Sequence, residues 1–311
     1  MHVLVSGSSG FLGGALMPRL AAAGHRVSRL VRSRGGSGDA RGAARGPGAT
    51  EVRAWAPDTD ALDPRVFEGI DAVIHLGGAS IGSVWTSRRK ELLRTSRIRT
   101  TRLLAERIAS SAPRPSVFVH ASAVGYYGDR GDEILTEASA PGRGFLADLC
   151  RDWEAASMPA HDAGTRVVRV RAGLVLSPRG GVLPVMLRPF RLGLGGRLGS
   201  GRQWMPWIAL EDAVGVYLRA LEDGALTGGV NAVAPEAVTN AEFTRALARA
   251  VGRPAFVTVP AFALAMLPGG MGKETLLASE RVVPAALQAA GFQFESPTLE
   301  TALAAIRGGG P

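Results

Sequence analysis

Three glycines, Gly7, Gly10 and Gly13, stand between an apolar run, His2-Val3-Leu4-Val5-Ser6, and an amphipathic stretch that begins at Phe11. This junction limits the possible folds more than any other feature of the chain. A strand that passes into a helix through glycines uses backbone torsions and close approaches that side chains block, and the helix start then presents N–H groups and positive potential to an anion. A second strand, read over 26–32, completes a βαβ unit whose first turn is shaped for a pyrophosphate. Glycine turns are common, so the position of this one carries the reading.

The alternation continues downstream. Periodicity predicts helices over 11–23, 87–111 and 145–161 and strands over 51–55, 71–76, 116–121 and 166–171. Within 87–111, Leu92, Leu93, Ile98, Leu103, Leu104 and Ile108 recur at helical spacing, and the continuous apolar run at 116–121 suits a strand buried on both faces. Residues 33–49, rich in Gly, Arg and Ser, read as a mobile loop. From Ala172 the texture turns to Gly, Pro and Arg, notably over 189–206. A helix over 211–221 and a short strand near 229–233 return to the main sheet, and 239–306 reads as a mostly helical cap. The expected class is α/β: a Rossmann-type doubly wound parallel sheet with a smaller, mostly helical C-terminal substrate lobe. Residues 1–171 form the nucleotide-binding domain, completed by about 209–233, and 172–208 with 234–311 form the lobe.

NAD-selective sites carry an acid about 20 residues past the glycines, at the end of the second strand, where it binds the ribose 2′-hydroxyl. This chain reads Arg32-Ser33-Arg34 there. A guanidinium makes two charge-assisted hydrogen bonds to a 2′-phosphate that a carboxylate would repel. The expected cofactor is therefore NADP(H), with Arg32 on the 2′-phosphate; the alternative is that these are solvated arginines in an arginine-rich chain.

Formal net charge is +9, but the basic residues, all arginine except Lys90 and Lys273, are dispersed without interleaved aromatics, so no nucleic-acid partner is expected. No apolar run approaches the ~20 residues of a membrane span and no basic flank precedes the first apolar stretch, which points to a cytoplasmic protein without a membrane partner. A single cysteine, Cys150, and five histidines without ligand spacing lead to an expectation of no metal. Oligomeric state is not legible.

Several segments are more particular: His75-Leu76-Gly77-Gly78-Ala79, Ser96-Arg97-Ile98-Arg99-Thr100-Thr101, Ser122-Ala123-Val124-Gly125-Tyr126-Tyr127-Gly128, Phe190-Arg191-Leu192-Gly193-Leu194-Gly195-Gly196, Gly201-Arg202-Gln203-Trp204, and Val259-Pro260-Ala261-Phe262 through Gly291-Phe292-Gln293-Phe294. Together they resemble the extended short-chain dehydrogenase/reductases. Within these, essentially the whole chain is similar to an atypical epimerase-like oxidoreductase family with a C-terminal domain of unknown function. The resemblance implies that Gly7, Gly10, Phe11, Leu12 and Gly13 hold the pyrophosphate. It further implies that Leu76 and Gly77 line the cofactor ribose, that Arg97 reaches in from the long helix, and that Val175 lies near the nicotinamide.

That superfamily's chemistry uses Tyr-x-x-x-Lys on one helix, the lysine lowering the phenol's pKa so that it moves a proton as hydride is transferred. Anchored on Glu154, the resemblance puts Leu146 at the tyrosine and Cys150 at the lysine, with Ala123 at the usual hydroxyl and Ser122 beside it. The catalytic candidates that remain are Ser122, Tyr126 and Tyr127, with Cys150 as a further thiol; pocket wall or packing is the competing role for each. Arg188, Arg191, Arg197 and Arg202 suit an anionic small molecule such as a nucleotide sugar, or are ordinary surface charge. Trp204 and Trp207 stack on a substrate ring or pack a hinge; Arg191, Arg202 and Trp204 are the substrate candidates. Two readings stay open: an NADP(H)-dependent oxidoreductase or epimerase-like enzyme with a non-standard acid, and an NADP(H) sensor without turnover.

Overall fold

The computed structural model describes residues 1–33, 48–49, 51–57 and 62–307. Most of the loop expected over 33–49, Arg34 included, falls outside them. Seven strands form the central sheet: β1 (His2–Ser6), β2 (Arg26–Arg32), β3 (Glu51–Trp55), β4 (Ala72–His75), β5 (Val117–Ala123), β6 (Arg166–Ala172) and β7 (Gly228–Ala232). Their order is β7-β6-β5-β4-β1-β2-β3 and every pairing is parallel. The chain runs outward from β1 to β3 and crosses back to β4, so the strand order reverses between β1 and β4, where such sheets open a crevice for ligands.

The helices are α1 (Phe11–Ala22), α2 (Ser87–Arg94), α3 (Thr100–Ser110), α4 (Phe145–Ala155), α5 (Met158–Asp162), α6 (Leu183–Arg191), α7 (Leu210–Glu222), α8 (Asn240–Val251), α9 (Ala261–Ala265), α10 (Ala285–Ala289) and α11 (Leu299–Arg307). Successive residues of a strand point to opposite faces, which is why β1 feeds two cores. Val3 and Val5 pack with Leu16, Met17 and Leu20 of α1 and with Val214 and Tyr217 of α7. Leu4 packs on the other face with Leu103, Leu104 and Ile108 of α3. A third core, including Leu187, Phe190, Trp207, Phe243 and Leu247, belongs to the lobe. There α8 is framed by a capping box between Thr239 and Glu242 and by Gly252 in the left-handed conformation.

Three elements differ from the periodicity reading. The helix expected over 87–111 is interrupted by a π-helical turn at Thr95–Arg99, which joins α2 to α3 and rotates the side chains between them. The helix expected over 145–161 breaks after Ala155, where Ser157 Oγ donates to the Glu154 carbonyl at 2.6 Å and Pro159 lacks an N–H to continue. The C-terminal segment is more than a cap. Arg281–Val282 pairs with a short strand, Ile134–Leu135, Asp212 on α7 accepts the amides of Glu295 and Ser296 at 2.7 and 3.0 Å, and Phe292 packs over Gly215. No helix among the described residues is long and apolar enough to cross a membrane.

Candidate functional site

The turn from β1 into α1 is built so that two of its three glycines have no room for a side chain and the third faces space. Gly7 has φ +79°, and a Cβ on it would lie 2.8 Å from the Leu76 carbonyl carbon and 2.9 Å from the Gly77 nitrogen. A Cβ on Gly13 would lie 2.3 Å from the Gly7 oxygen. One on Gly10 would touch only that same oxygen, at 3.3 Å. Gly10 is also the N-cap of α1; it gives no side-chain cap, and the first turn holds no acid, so the dipole and opening amides are not neutralised by side chains of the helix itself. Phe11 is half-buried, its ring against Gly180 and Gly181, and Leu12 packs on the core beneath. This cradle fits a pyrophosphate.

From there the crevice extends in two directions. Arg32 ends β2 and is exposed, while Arg29 three residues earlier donates to Ser8 Oγ at 2.9 Å and ties β2 to the glycine turn. On the other side Leu76 and Gly77 follow β4. A Cβ on Gly77 would lie 2.7 Å from the ring of His75, so this histidine is the floor under the chain there. Burial holds His75 down at about 3 and His120, its register partner on β5, at about 4, so both are neutral near pH 7. Arg97 lies in the π-helical turn, with its guanidinium 5.2 Å over the Trp153 ring and where a Cβ on Gly78 would come within 3.2 Å. Burial lowers its pKa. Val175 stands on a short strand, Leu174–Ser177, opposite Ile208.

The end of β5 brings Ser122, Tyr126 and Tyr127 together, but two of the three hydroxyls are spent inside the protein. Ser122 Oγ donates to Glu154 Oε1 at 2.7 Å. Arg171 on β6 grips both oxygens of the same carboxylate, at 2.8 and 2.9 Å, and donates to the Tyr127 hydroxyl at 2.9 Å. Tyr127 in turn donates to Asn231 Oδ1 at 2.7 Å, and Asn231 Nδ2 donates to the Val283 carbonyl at 3.0 Å. All five residues are buried. Burial raises the Tyr127 phenol in spite of the cation beside it, the opposite of the depression that proton transfer near neutral pH calls for. Tyr126 differs: it is half-buried, its ring lies 3.6 Å beneath the Arg171 guanidinium, and its hydroxyl has no partner among the described residues.

Helix α4 presents Leu146 and Cys150, four residues apart and both buried, toward the loop after β5. Leu146 packs on Gly125, and burial pushes the Cys150 thiol up to about 12. Glu274, from the C-terminal segment, accepts the Leu146 amide at 2.8 Å and so caps α4. Of the substrate candidates, Arg191 and Arg202 are exposed. Trp204 is half-buried, donating Nε1–H to Asp132 at 2.8 Å beneath the Arg281 guanidinium. The stretch between Asp162 and Glu211 and that between Glu242 and Glu274 hold no acidic residue. Arg171, Asn231 and Glu280 are additions that pattern reading did not single out; the closely spaced Arg166, Arg169 and Arg171 in a sheet strand were the only sequence signal for a buried charge.

Comparison with known proteins agrees with this architecture. Residues 3–232 match the NAD dependent epimerase/dehydratase family, and residues 259–306 match a domain of unknown function, DUF1731. An epimerase family protein of Mycobacterium bovis is 43% identical over 302 residues, covering 97% of this chain and 96% of its own. The crystal structure of human epimerase family protein SDR39U1, isoform 2, with NADPH superposes with a TM-score of 0.85 at 35% identity, covering 99% of each chain. A nucleoside-diphosphate sugar epimerase from Corynebacterium glutamicum gives a TM-score of 0.79 at 38% identity, over 99% of this chain and 58% of that one.

Proposed function

Because the chain belongs to the NAD dependent epimerase/dehydratase family, we propose that it is a cytoplasmic, NADP(H)-dependent oxidoreductase or sugar-nucleotide-epimerase-like enzyme acting on a small anionic substrate. The observation that carries this reading is the glycine cradle, whose only open position is Gly10 and whose neighbouring strand ends in Arg32 where an NAD site has an acid. The human relative solved with NADPH supports the choice of cofactor. When bound, the dinucleotide supplies a hydride or accepts one at its nicotinamide ring.

The chain's own residues divide the remaining work. Gly7, Gly10, Phe11, Leu12 and Gly13 hold the pyrophosphate, Arg32 the 2′-phosphate, Leu76 and Gly77 the ribose, and Arg97 and Val175 bound the nicotinamide end. Leu146 and Cys150 take the places of the superfamily's tyrosine and lysine, so the usual dyad is absent. Ser122 and Tyr127 act as scaffold through Glu154 and Arg171, which leaves Tyr126 as the hydroxyl that faces the cleft. Arg191, Arg202 and Trp204 receive the anionic substrate. The engaged hydroxyls of Ser122 and Tyr127 favour a second reading, an NADP(H) sensor without turnover.

The test is loss of NADPH absorbance in a panel of nucleotide sugars, small aldehydes and quinones. Oxidation by one class, reduced at least ~100-fold in Tyr126→Phe with NADPH binding intact, supports an enzyme that uses this phenol. NADPH that binds and is never oxidised across the panel favours the sensor.

A further inference from the structure

The lobe carries large apolar side chains that the protein itself does not cover. Leu192, Leu194, Phe256, Phe262 and Met266 are between 61% and 86% exposed. They come from two segments that run side by side. Gly196–Leu198 and Val257–Val259 form a parallel ribbon in which Gly196 is opposite Val257. At its start the Val257 amide donates to the Gly195 carbonyl at 3.4 Å, which sets Phe256 alongside Leu194–Gly195. At its other end the Gly199 amide donates to the Val259 carbonyl at 2.8 Å, and a Cβ on Gly199 would lie 3.3 Å from the side chain of Ala261, the first residue of α9. Helix α9 turns Leu264 inward and holds Phe262 and Met266, four residues apart and so on one face, in solvent. Helix α8 packs against both the ribbon and α6, which ends at Arg191 beside Leu192.

The charge on these segments has one sign. Over 182–202 the charged residues are four arginines, and over 243–273 they are Arg245, Arg249, Arg253 and Lys273, with no carboxylate in either stretch. All of these cations are exposed. One of them, Arg197, stands on the ribbon itself and donates to Thr258 Oγ1 at 3.1 Å. An apolar patch of this kind marks a contact surface, and its charge says what the contact is. A second copy of the chain would bring the cations against one another across a two-fold contact, which repels. Duplex nucleic acid would satisfy the arginines and leave Leu192, Leu194 and Met266 in water. An anionic bilayer receives both, the guanidiniums at its phosphates and the apolar side chains at the boundary of headgroups and acyl chains.

We propose that this face of the lobe docks on an anionic lipid bilayer, with Phe256, Phe262 and Met266 entering the interface and the arginines around them held by lipid phosphates. The attachment is peripheral, since no helix among the described residues is long and apolar enough to cross a membrane. The expectation of no membrane partner rested on the absence of a spanning run, whereas this surface exists only once the fold sets two distant segments together. The inference does not depend on the cofactor reading.

Sedimentation of the intact protein with vesicles tests it, using phosphatidylcholine alone and phosphatidylcholine mixed with phosphatidylglycerol. Wild type should pellet with the mixed vesicles and stay in solution with the neutral ones, and added salt should release it. Phe256→Ser with Phe262→Ser and Met266→Ser should weaken binding to the mixed vesicles ~tenfold or more. Arg249→Gln with Arg253→Gln should weaken it by a similar factor, about tenfold. Both variants should melt where wild type does, because the replaced side chains are exposed. If the triple variant does not fold, Phe256→Ser alone carries the same comparison. Wild type that ignores the mixed vesicles, or binding that survives loss of the three apolar side chains, overturns the proposal. So does light scattering that finds a wild-type dimer and a monomeric triple variant, because a second copy then covers this face.

Discussion

Replacing Arg171 by alanine removes the cation at the centre of the buried network below β5. Its guanidinium holds both oxygens of Glu154 and the hydroxyl of Tyr127, with 6% and 9% of the two charged side chains exposed. Breaking one partner of a buried pair costs about 3–5 kcal/mol, because the other charge is left in a poorly solvated place. The lost bond to Tyr127 adds about 1 kcal/mol, so a total near 4–6 kcal/mol is expected. At about 2.1 cal/mol/K per residue, 311 residues give a melting entropy of roughly 0.65 kcal/mol/K, and the melting temperature should fall by ~6–9 °C. Differential scanning calorimetry measures this directly. If the loss comes from the stranded carboxylate, Arg171→Met with Glu154→Met should recover more than half of it, since apolar groups of similar volume replace a buried pair at little cost. A fall below ~2 °C for Arg171→Ala, or a double variant whose losses simply add, would refute the reasoning.

Gly10→Val should keep the fold, since only the Gly7 oxygen lies near its Cβ, but should lose the rise in melting temperature that NADPH gives wild type; a retained rise means the phosphates lie elsewhere. Tyr127→Phe should lower stability by about 1–2 kcal/mol, by leaving Arg171 and Asn231 short of a partner, while sparing NADPH affinity; a selective loss of affinity in calorimetry would contradict its scaffold role. The raised pKa of Glu280 makes the folded state hold this proton more tightly than the unfolded chain does. Its contribution is fully present below the ordinary carboxylate range and is lost as pH rises toward about 8. Glu280→Gln should therefore gain stability relative to wild type between pH 5 and pH 9 in urea titrations, and a constant gap over that range would count against the buried acid.

The parts of the molecule that were legible in the sequence are those in which a local pattern dictates a local structure. Gly7 and Gly13 announce a turn because no other residue fits there, and the apolar runs at 2–6 and 117–121 announce central strands because both faces are covered. What stayed hidden depends on contacts between distant segments. Arg171 meets Glu154 only because α4 packs across the ends of β5 and β6, and no periodicity encodes that pairing. Tyr126 and Tyr127 are neighbours in sequence, yet the turn that follows β5 sends one toward Asn231 and leaves the other half-buried. Glu280 is held beside Trp204 because Arg281–Val282 pairs with Ile134–Leu135, two residues against two, too short to be recognised before the fold is known. The π-helical turn that aims Arg97 inward is likewise invisible to a helical period.

The central claim, that this crevice binds a dinucleotide by its 2′-phosphate, is tested most directly by titrating NADPH and NADH into wild type and Arg32→Ala in the same calorimeter. Arg32 is exposed at the end of β2, where a charge-assisted contact with the 2′-phosphate is open to it. Wild type should prefer NADPH by tenfold or so, about 1.4 kcal/mol. Arg32→Ala should lose that preference and leave NADH almost unchanged. Equal affinity of wild type for the two cofactors, or an equal loss of both on removing Arg32, would contradict the account.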